Sequence, residues 1–226
     1  MNFLSFALNY KLVQPDYTTL GVSYMSNNYH SMGVSANTRI SKLILGGNFS
    51  LQSDNLSNEQ LYTTKGFVYG ANASLPVGSK INLSASYNGY LQRQYDGSAV
   101  VNDTTRVNRL MNSFTFTPSY NTSTTNFNHG VSLSANYSEN KDLNKFNEGK
   151  SDVTTLAIGA NYSMTVIPIE TNFGFNYSHQ NSDGYDSKYV TNVYSLSASK
   201  SLLKNRNLAL SASMSLVQNK MNTDSN

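Results

Sequence analysis

Residues 207–217 read Asn-Leu-Ala-Leu-Ser-Ala-Ser-Met-Ser-Leu-Val, in which apolar and small polar side chains alternate. One parity holds Leu208, Leu210, Ala212, Met214 and Leu216, and the other holds Asn207, Ala209, Ser211, Ser213 and Ser215. Successive side chains of a β-strand point to opposite faces, so these two sets lie on opposite faces. The stretch therefore predicts a strand with one apolar face and one polar face.

The same rhythm recurs along the whole chain and predicts about twelve strands, each of roughly 9–12 residues. The first strand carries Leu4, Phe6, Leu8 and Tyr10 on its apolar parity, and a short second strand carries Leu20, Val22 and Tyr24. Soluble strands average nearer 5–6 residues. About 11 residues tilted near 45° cover roughly 25 Å, which is the height of an apolar membrane band.

The composition fits this pattern and excludes several classes of protein. Only 38% of the 226 residues are hydrophobic and only 13% are charged, while 12% are aromatic. The mean hydropathy of -0.41 is low for a soluble core, and the regular aromatic residues argue against disorder. A net charge of +3 without a basic cluster predicts no nucleic-acid partner. The chain has no cysteine, so thiolate metal sites and disulfides are excluded.

The segments between the strands alternate in length. Residues 41–42, 76–80 and 164–168 form short connections, whereas residues 53–63, 93–108, 139–152 and 180–188 form longer polar ones. With twelve strands, the first would run inward and both chain ends would lie on the long-loop side. We therefore expect a single domain, residues 1–226, that is truncated at both ends and belongs to a barrel of about 14 or more strands.

Together these features resemble a bacterial outer-membrane β-barrel of the porin-like kind, although no motif identifies a subfamily. The resemblance implies an all-β, antiparallel up-and-down transmembrane β-barrel located in the bacterial outer membrane, with outer-membrane lipids as partners. It implies that four strand charges face the lumen, namely Lys11, Arg39, Arg109 and Glu170. It also implies two aromatic girdles, formed by Tyr10, Tyr24, Phe67, Tyr69, Phe114, Tyr120, Tyr137, Tyr162, Tyr177 and Tyr194.

The expected function is passive passage of small polar solutes, with weak anion preference at most, no catalytic residue and no cofactor. One alternative is a non-conducting scaffold that binds partners through its long loops. A barrel enzyme would need His129 or His179, with Asp183 and Asp186 as acids near His179. The loop acids Asp142, Glu148 and Asp152 do not match a calcium-loop pattern, so no metal site is predicted. A soluble β-sandwich or an extracellular fibre remains a further alternative.

Overall fold

A computed structural model describes residues 3–15, 28–202 and 208–223 of the chain. These residues form eleven β-strands and one short 3₁₀ turn, Ile167–Ile169. The strands are β1 (Phe3–Val13), β2 (Tyr29–Ile40), β3 (Leu43–Asp54), β4 (Tyr62–Val77), β5 (Ile81–Asp96), β6 (Asn108–Ser123), β7 (Phe127–Asp142), β8 (Val153–Val166), β9 (Thr171–Gly184), β10 (Ser187–Ser201) and β11 (Ala209–Thr223).

The strands join one antiparallel sheet in simple sequence order, from β1 to β11. The predicted all-β, up-and-down architecture is therefore confirmed. Within the described residues the sheet is not closed, because β1 and β11 stand at the two ends of the strand order. This topology is compatible with a β-barrel.

The chain also divides into two compact units that share several strands. The first unit comprises Met1–Ala73, Ser86–Ser113 and Ser138–Val153, and the second comprises Ser74–Ala85, Phe114–Tyr137 and Thr154–Asn226. The single domain expected for residues 1–226 stays a prediction, and each unit is described by itself below.

Strand register separates apolar from polar side chains as the alternation predicts. Between β1 and β2, Leu8 lies opposite Val34 and Tyr10 lies opposite Met32, while Asn9 lies opposite Gly33. Between β9 and β10 the pairs on one face are Phe175 with Leu196 and Tyr177 with Tyr194, and those on the other face include Asn176 with Ser195. Cross-strand partners share a face, so each sheet region has an apolar face and a polar face.

The apolar face has no protein layer over it. Of the described residues, Val13 is the one hydrophobic residue in the buried class, with 6% of its surface accessible, whereas Leu8 is 84% exposed. The accessible surface is 15266 Å², against about 10,000 Å² for a soluble folded protein of this mass. Within each unit, the large apolar side chains are therefore not buried under a second layer of the described residues.

The strands run further toward the long connections than the sequence predicts. β4, β5, β6 and β7 each have 16 residues. The prediction of a long loop at residues 180–188 is wrong, because β9 and β10 stay paired as far as Asp183 and Lys188. Polar side chains at a strand end do not prevent the backbone hydrogen bonds of the ladder. As a result Tyr69 and Tyr194 lie within their strands rather than near the strand ends.

The direction of the first strand also differs from the prediction. The expected second strand, with Leu20, Val22 and Tyr24, falls in residues 16–27, outside the described residues. The sheet pairs β1 directly and antiparallel with β2, so Val13 lies opposite Tyr29 and Phe3 lies opposite Arg39. β1 therefore begins on the side of the short connection 41–42, and not on the long-loop side. The register between neighbouring strands sets this direction, and the alternation within a single strand does not contain it.

Candidate functional site

In the first unit, the polar face is built from rows in which a glycine lies between asparagines. A side chain at Gly46 would come within 2.4 Å of Asn72 Oδ1 and 2.7 Å of Asn37 Oδ1. Gly70 occupies the same kind of position, 2.7 Å from Asn48 Oδ1 and 3.0 Å from Asn88 Oδ1. The missing Cβ atoms leave room for the amides, so hydrogen-bonding groups lie close together on the polar face around Gly46 and Gly70.

In the second unit, serine hydroxyls lie beside two glycines of the polar face. A Cβ atom added at Gly159 would lie 2.6 Å from Ser134 Oγ, and one added at Gly174 would lie 2.6 Å from Ser197 Oγ. Hydroxyl and amide groups of this size can hydrogen-bond water or a polar solute without a fixed charge. The face can thus hold water and polar solutes, and its side chains are short.

The four predicted lumen charges have different surroundings. Lys11 lies on the polar face opposite Ser31, with Nζ 5.3 Å from the centroid of the Tyr29 ring. Arg39 is also on this face, and its Nε donates to Ser41 O at 3.1 Å. Arg109 is exposed and shares the parity of Ser113 and Thr115 in β6. Glu170 is not a strand residue: it ends the 3₁₀ turn with φ 48°.

Several polar-face residues were missed by the sequence reasoning. Tyr90 shares the parity of Asn88, and a Cβ atom at buried Gly66 would lie 3.0 Å from its ring. Asp54 lies on the polar face opposite Tyr29 and accepts from the backbone N–H of Thr64. The signal for Tyr90 was its parity in β5. Asp54 was assigned to a loop, so its face was not considered.

On the apolar face, the predicted girdle residues make two local aromatic groups in the second unit. Tyr162 hydrogen-bonds His129 Nδ1 at 2.9 Å, and the His129 ring also stacks on Phe127. Tyr177 and Tyr194 have ring centroids 5.0 Å apart. Tyr10, Phe67, Tyr69, Phe114, Tyr120 and Tyr137 lie in strands on the apolar parity, whereas Tyr24 lies outside the described residues. Their role as girdles stays a prediction.

A hydrogen-bonded chain crosses four strands on the apolar face of the first unit. The hydroxyls of Tyr69 and Tyr87 both donate to Asn112 Oδ1 at 2.9 Å. Asn112 Nδ2 donates to Glu139 Oε1 at 3.0 Å, and Glu139 Oε2 lies 2.9 Å from Lys141 Nζ. We call these five residues the tyrosine–lysine chain. It satisfies polar groups on a face that is otherwise apolar.

Two long connections of the first unit are tied together. Buried Asn144 donates through Nδ2 to the carbonyl oxygens of Asp103 and Arg106, at 2.9 Å each. Arg106 Nη2 in turn lies 3.1 Å from both Asp96 Oδ1 and Asp103 Oδ1. Segments 97–107 and 143–152 thus have defined conformations and present a specific surface.

The residues considered for catalysis or metal binding have other partners. His129 Nδ1 lies 2.9 Å from the Tyr162 hydroxyl, and His179 Nδ1 lies 2.8 Å from Asn192 Oδ1. Asp142 accepts from the Asn144 N–H, and Asp152 Oδ1 accepts from the Asp142 N–H. Among the described residues no group of three or more His, Cys, Asp or Glu side chains could hold a metal ion.

No helix among the described residues is both long enough and apolar enough to span a bilayer. Comparison with known protein families and with curated proteins finds no match to this chain. Its function is therefore argued from the two faces of the sheet.

Proposed function

We propose that this protein is a bacterial outer-membrane β-barrel of the porin-like kind, which lets small polar solutes diffuse through its lumen. The observation that carries the proposal is the apolar face, whose large side chains are exposed in both units. Lipid hydrocarbon would remove this face from water, and soluble monomers rarely expose contiguous apolar surface of this extent. The outer membrane is the bilayer in which spanning strands of this pattern normally reside.

The proposed mechanism is steric and electrostatic filtering, with no covalent step. Short Gly, Ser and Asn side chains on the polar face leave space next to the backbone, as the rows around Gly46 and Gly159 do. Water and polar solutes that enter the lumen exchange hydrogen bonds with hydroxyl and amide groups. Solute choice then depends on the lumen width and on the charges that line it.

The charges on the polar face favour anions only weakly. Lys11, Arg39 and Arg109 supply positive charge, whereas Asp54, Asp96 and Asp142 share the polar parity at the long-connection ends of β3, β5 and β7. Asp96 is paired with Arg106 at 3.1 Å, so the opposing charges nearly balance and leave at most a small positive excess. A single charge in water contributes on the order of 1 kcal/mol or less to the energy of a passing ion. We therefore expect a modest anion preference rather than strict selectivity.

The proposal is tested on the full chain reconstituted in planar bilayers. Stepwise conductance with reversal potentials that favour anions is the expected result. Replacing Lys11, Arg39 and Arg109 together by glutamine should lower the anion-to-cation permeability ratio, by no more than about fivefold in total. Bilayers that stay silent although the protein is folded and inserted would contradict the channel.

A matched control removes three positive charges from the other face, with Lys65, Arg93 and Lys141 changed to glutamine. Because these side chains lie on the apolar parity, the permeability ratio should stay at the wild-type value. Insertion itself is checked by gel migration in detergent before and after heating, since a folded membrane barrel changes its mobility when it is boiled.

A second candidate function is a non-conducting scaffold that binds partners through its long connections. The bonds from Asn144 to segment 97–107 favour it, because an ordered loop surface loses less entropy when it binds a partner. Conductance discriminates the two functions, since a scaffold inserts into the bilayer without opening a passage.

A further inference from the structure

Strands β4 and β7 extend beyond the length that a membrane requires. A tilted strand crosses the hydrocarbon with about 9–11 residues, whereas β4 and β7 have 16 residues each. The apolar parity of β7 ends at Tyr137, and the next residues on that parity are Glu139 and Lys141. The face that is apolar along most of each strand therefore carries polar side chains at the long-connection end.

Three positively charged residues have the apolar parity near the long-connection ends of β4, β5 and β7. Lys65 in β4 and Arg93 in β5 have the parity of Tyr69 and Tyr87, and Lys141 in β7 has that of Tyr137. All three residues are exposed. Lys65 Nζ lies 5.0 Å from the centroid of the Tyr95 ring, which confirms that β4 and β5 present these residues on one face. We call Lys65, Arg93 and Lys141 the cationic belt.

The tyrosine–lysine chain holds one member of the belt in place. Glu139 Oε2 contacts Lys141 Nζ at 2.9 Å, and Asn112 orients the same carboxylate through its other oxygen. The Lys141 side chain keeps 48% of its surface exposed, and an ammonium has three donors. Glu139 is the opposing charge next to the belt, so the group of four side chains carries a net positive charge.

We propose that the cationic belt binds the phosphate of an anionic lipid headgroup on the long-connection side of the membrane. This inference rests on the proposed membrane-spanning function. Positive charges next to an apolar face lie at the depth of the headgroups when that face is in hydrocarbon. Lysine and arginine stems cover apolar surface while their charged ends reach phosphate.

The belt is next to the hydrocarbon-facing side chains and not among the connections, which favours a lipid over a soluble anion. Phe67 follows Lys65 on the same parity of β4, and Leu91 precedes Arg93 on the same parity of β5. Tyr69 and Tyr87 lie further along these two strands, and tyrosine is typical of the boundary between hydrocarbon and headgroups. A lipid can place its acyl chains on the apolar face and its phosphate on the belt at the same time. Free phosphate would use only the second contact.

The experiment measures lipids retained by the full chain in detergent micelles, by native mass spectrometry. Phosphatidylglycerol and phosphatidylcholine are added at equal concentration, and inorganic phosphate is added in a third sample. The wild-type protein should retain phosphatidylglycerol in preference to phosphatidylcholine. The variant with Lys65→Gln, Arg93→Gln and Lys141→Gln should lose about tenfold or more of this preference, since each cation changes binding about fivefold.

Two variants serve as controls. Replacing Lys11, Arg39 and Arg109 by glutamine makes the same change in net charge on the polar face and should leave lipid retention at the wild-type level. Interchanging lysine and arginine within the belt, with Lys65→Arg, Arg93→Lys and Lys141→Arg, keeps the positive charge and should keep the preference for phosphatidylglycerol. Every variant is checked for heat-modifiable gel migration, so a folding defect is recognised.

The outcomes separate this inference from the proposed function. If the protein inserts and conducts but both triple glutamine variants retain lipid equally, the belt is overturned and the channel stands. Equal retention of the two lipids by the wild-type protein, or displacement of phosphatidylglycerol by millimolar inorganic phosphate, also overturns it. A chain that stays water-soluble without detergent contradicts the proposed function itself.

Discussion

The two faces of the sheet differ in the size of their side chains and in what covers them. In the second unit Leu196 lies opposite Phe175 and Met214, and all three are exposed. The neighbouring Ser195 lies opposite Asn176 and Ser215. The large side chains therefore have no protein partner above the sheet, while the small ones form a polar surface.

This arrangement is the reverse of a soluble β-protein, in which the large apolar side chains of a sheet are buried against a second layer. Burial of apolar surface stabilises a fold by about 25 cal/mol per Å², and here that contribution has to come from something other than the described chain. The comparison of the two faces therefore gives direct tests of the environment on each side.

The largest effect is expected from a charge on the apolar face. Leu196→Arg should lower the free energy of unfolding in lipid vesicles by about 2–4 kcal/mol, because the proposed membrane arrangement places this side chain in hydrocarbon. Ser195→Arg is the matched control on the polar face, where an expected change of about 1 kcal/mol or less reflects only packing. Urea titration of both variants in vesicles measures the difference. Equal destabilisation by the two substitutions would mean that the faces are not different environments.

A smaller loss of stability is expected at Gly89, where the Tyr69 ring occupies the space that a side chain would need. Tyr69 lies over Gly89, and a Cβ atom there would be 2.1 Å from the ring. Gly89→Ala should therefore displace the ring and lower the free energy of unfolding by about 1–3 kcal/mol. Gly47→Ala, with its nearest contact at 3.6 Å, is the control on the same face and should change stability by about 0.5 kcal/mol or less. A Gly89→Ala variant as stable as the control would show that packing of the Tyr69 ring over Gly89 does not contribute to stability.

The smallest effect concerns the tyrosine–lysine chain. Tyr69→Phe removes one hydroxyl donor from Asn112, and we expect a loss of about 0.5–1.5 kcal/mol of unfolding free energy. The control is Tyr10→Phe, since Tyr10 is 67% exposed on the same face of β1 and its hydroxyl should matter little. Denaturant unfolding in vesicles reports both values. A larger loss from Tyr10→Phe would argue against the network as the source of the effect.

Much of the fold could be predicted from the alternation alone. The parities of β2, β3, β9 and β10 match the registers, because a two-residue period fixes which side chains share a face. Strand ends could not be predicted in this way. Asp183 and Lys188 look like loop residues, yet the backbone ladder continues through them, since ladder hydrogen bonds do not depend on polarity.

The candidate site was predicted in part. Lys11 and Arg39 lie on the polar face as the parity indicates, whereas Glu170 proved to be a turn residue. The tyrosine–lysine chain was not predicted, because its members come from four strands and their contacts depend on the register between neighbours. Asn112 in particular has no signal in the sequence, and its role follows only from where Tyr69, Tyr87 and Glu139 meet.

The sequence by itself determined that the chain forms long two-faced strands, because alternation of apolar and polar residues with a period of two satisfies no other regular backbone. It also determined which side chains share a face within each strand. The tertiary structure decided which strands are neighbours, the direction of β1 and the rows of glycine with asparagine or serine. Those features depend on inter-strand hydrogen bonds and on atoms brought within a few ångströms by register, and the period of a single strand carries no information about either.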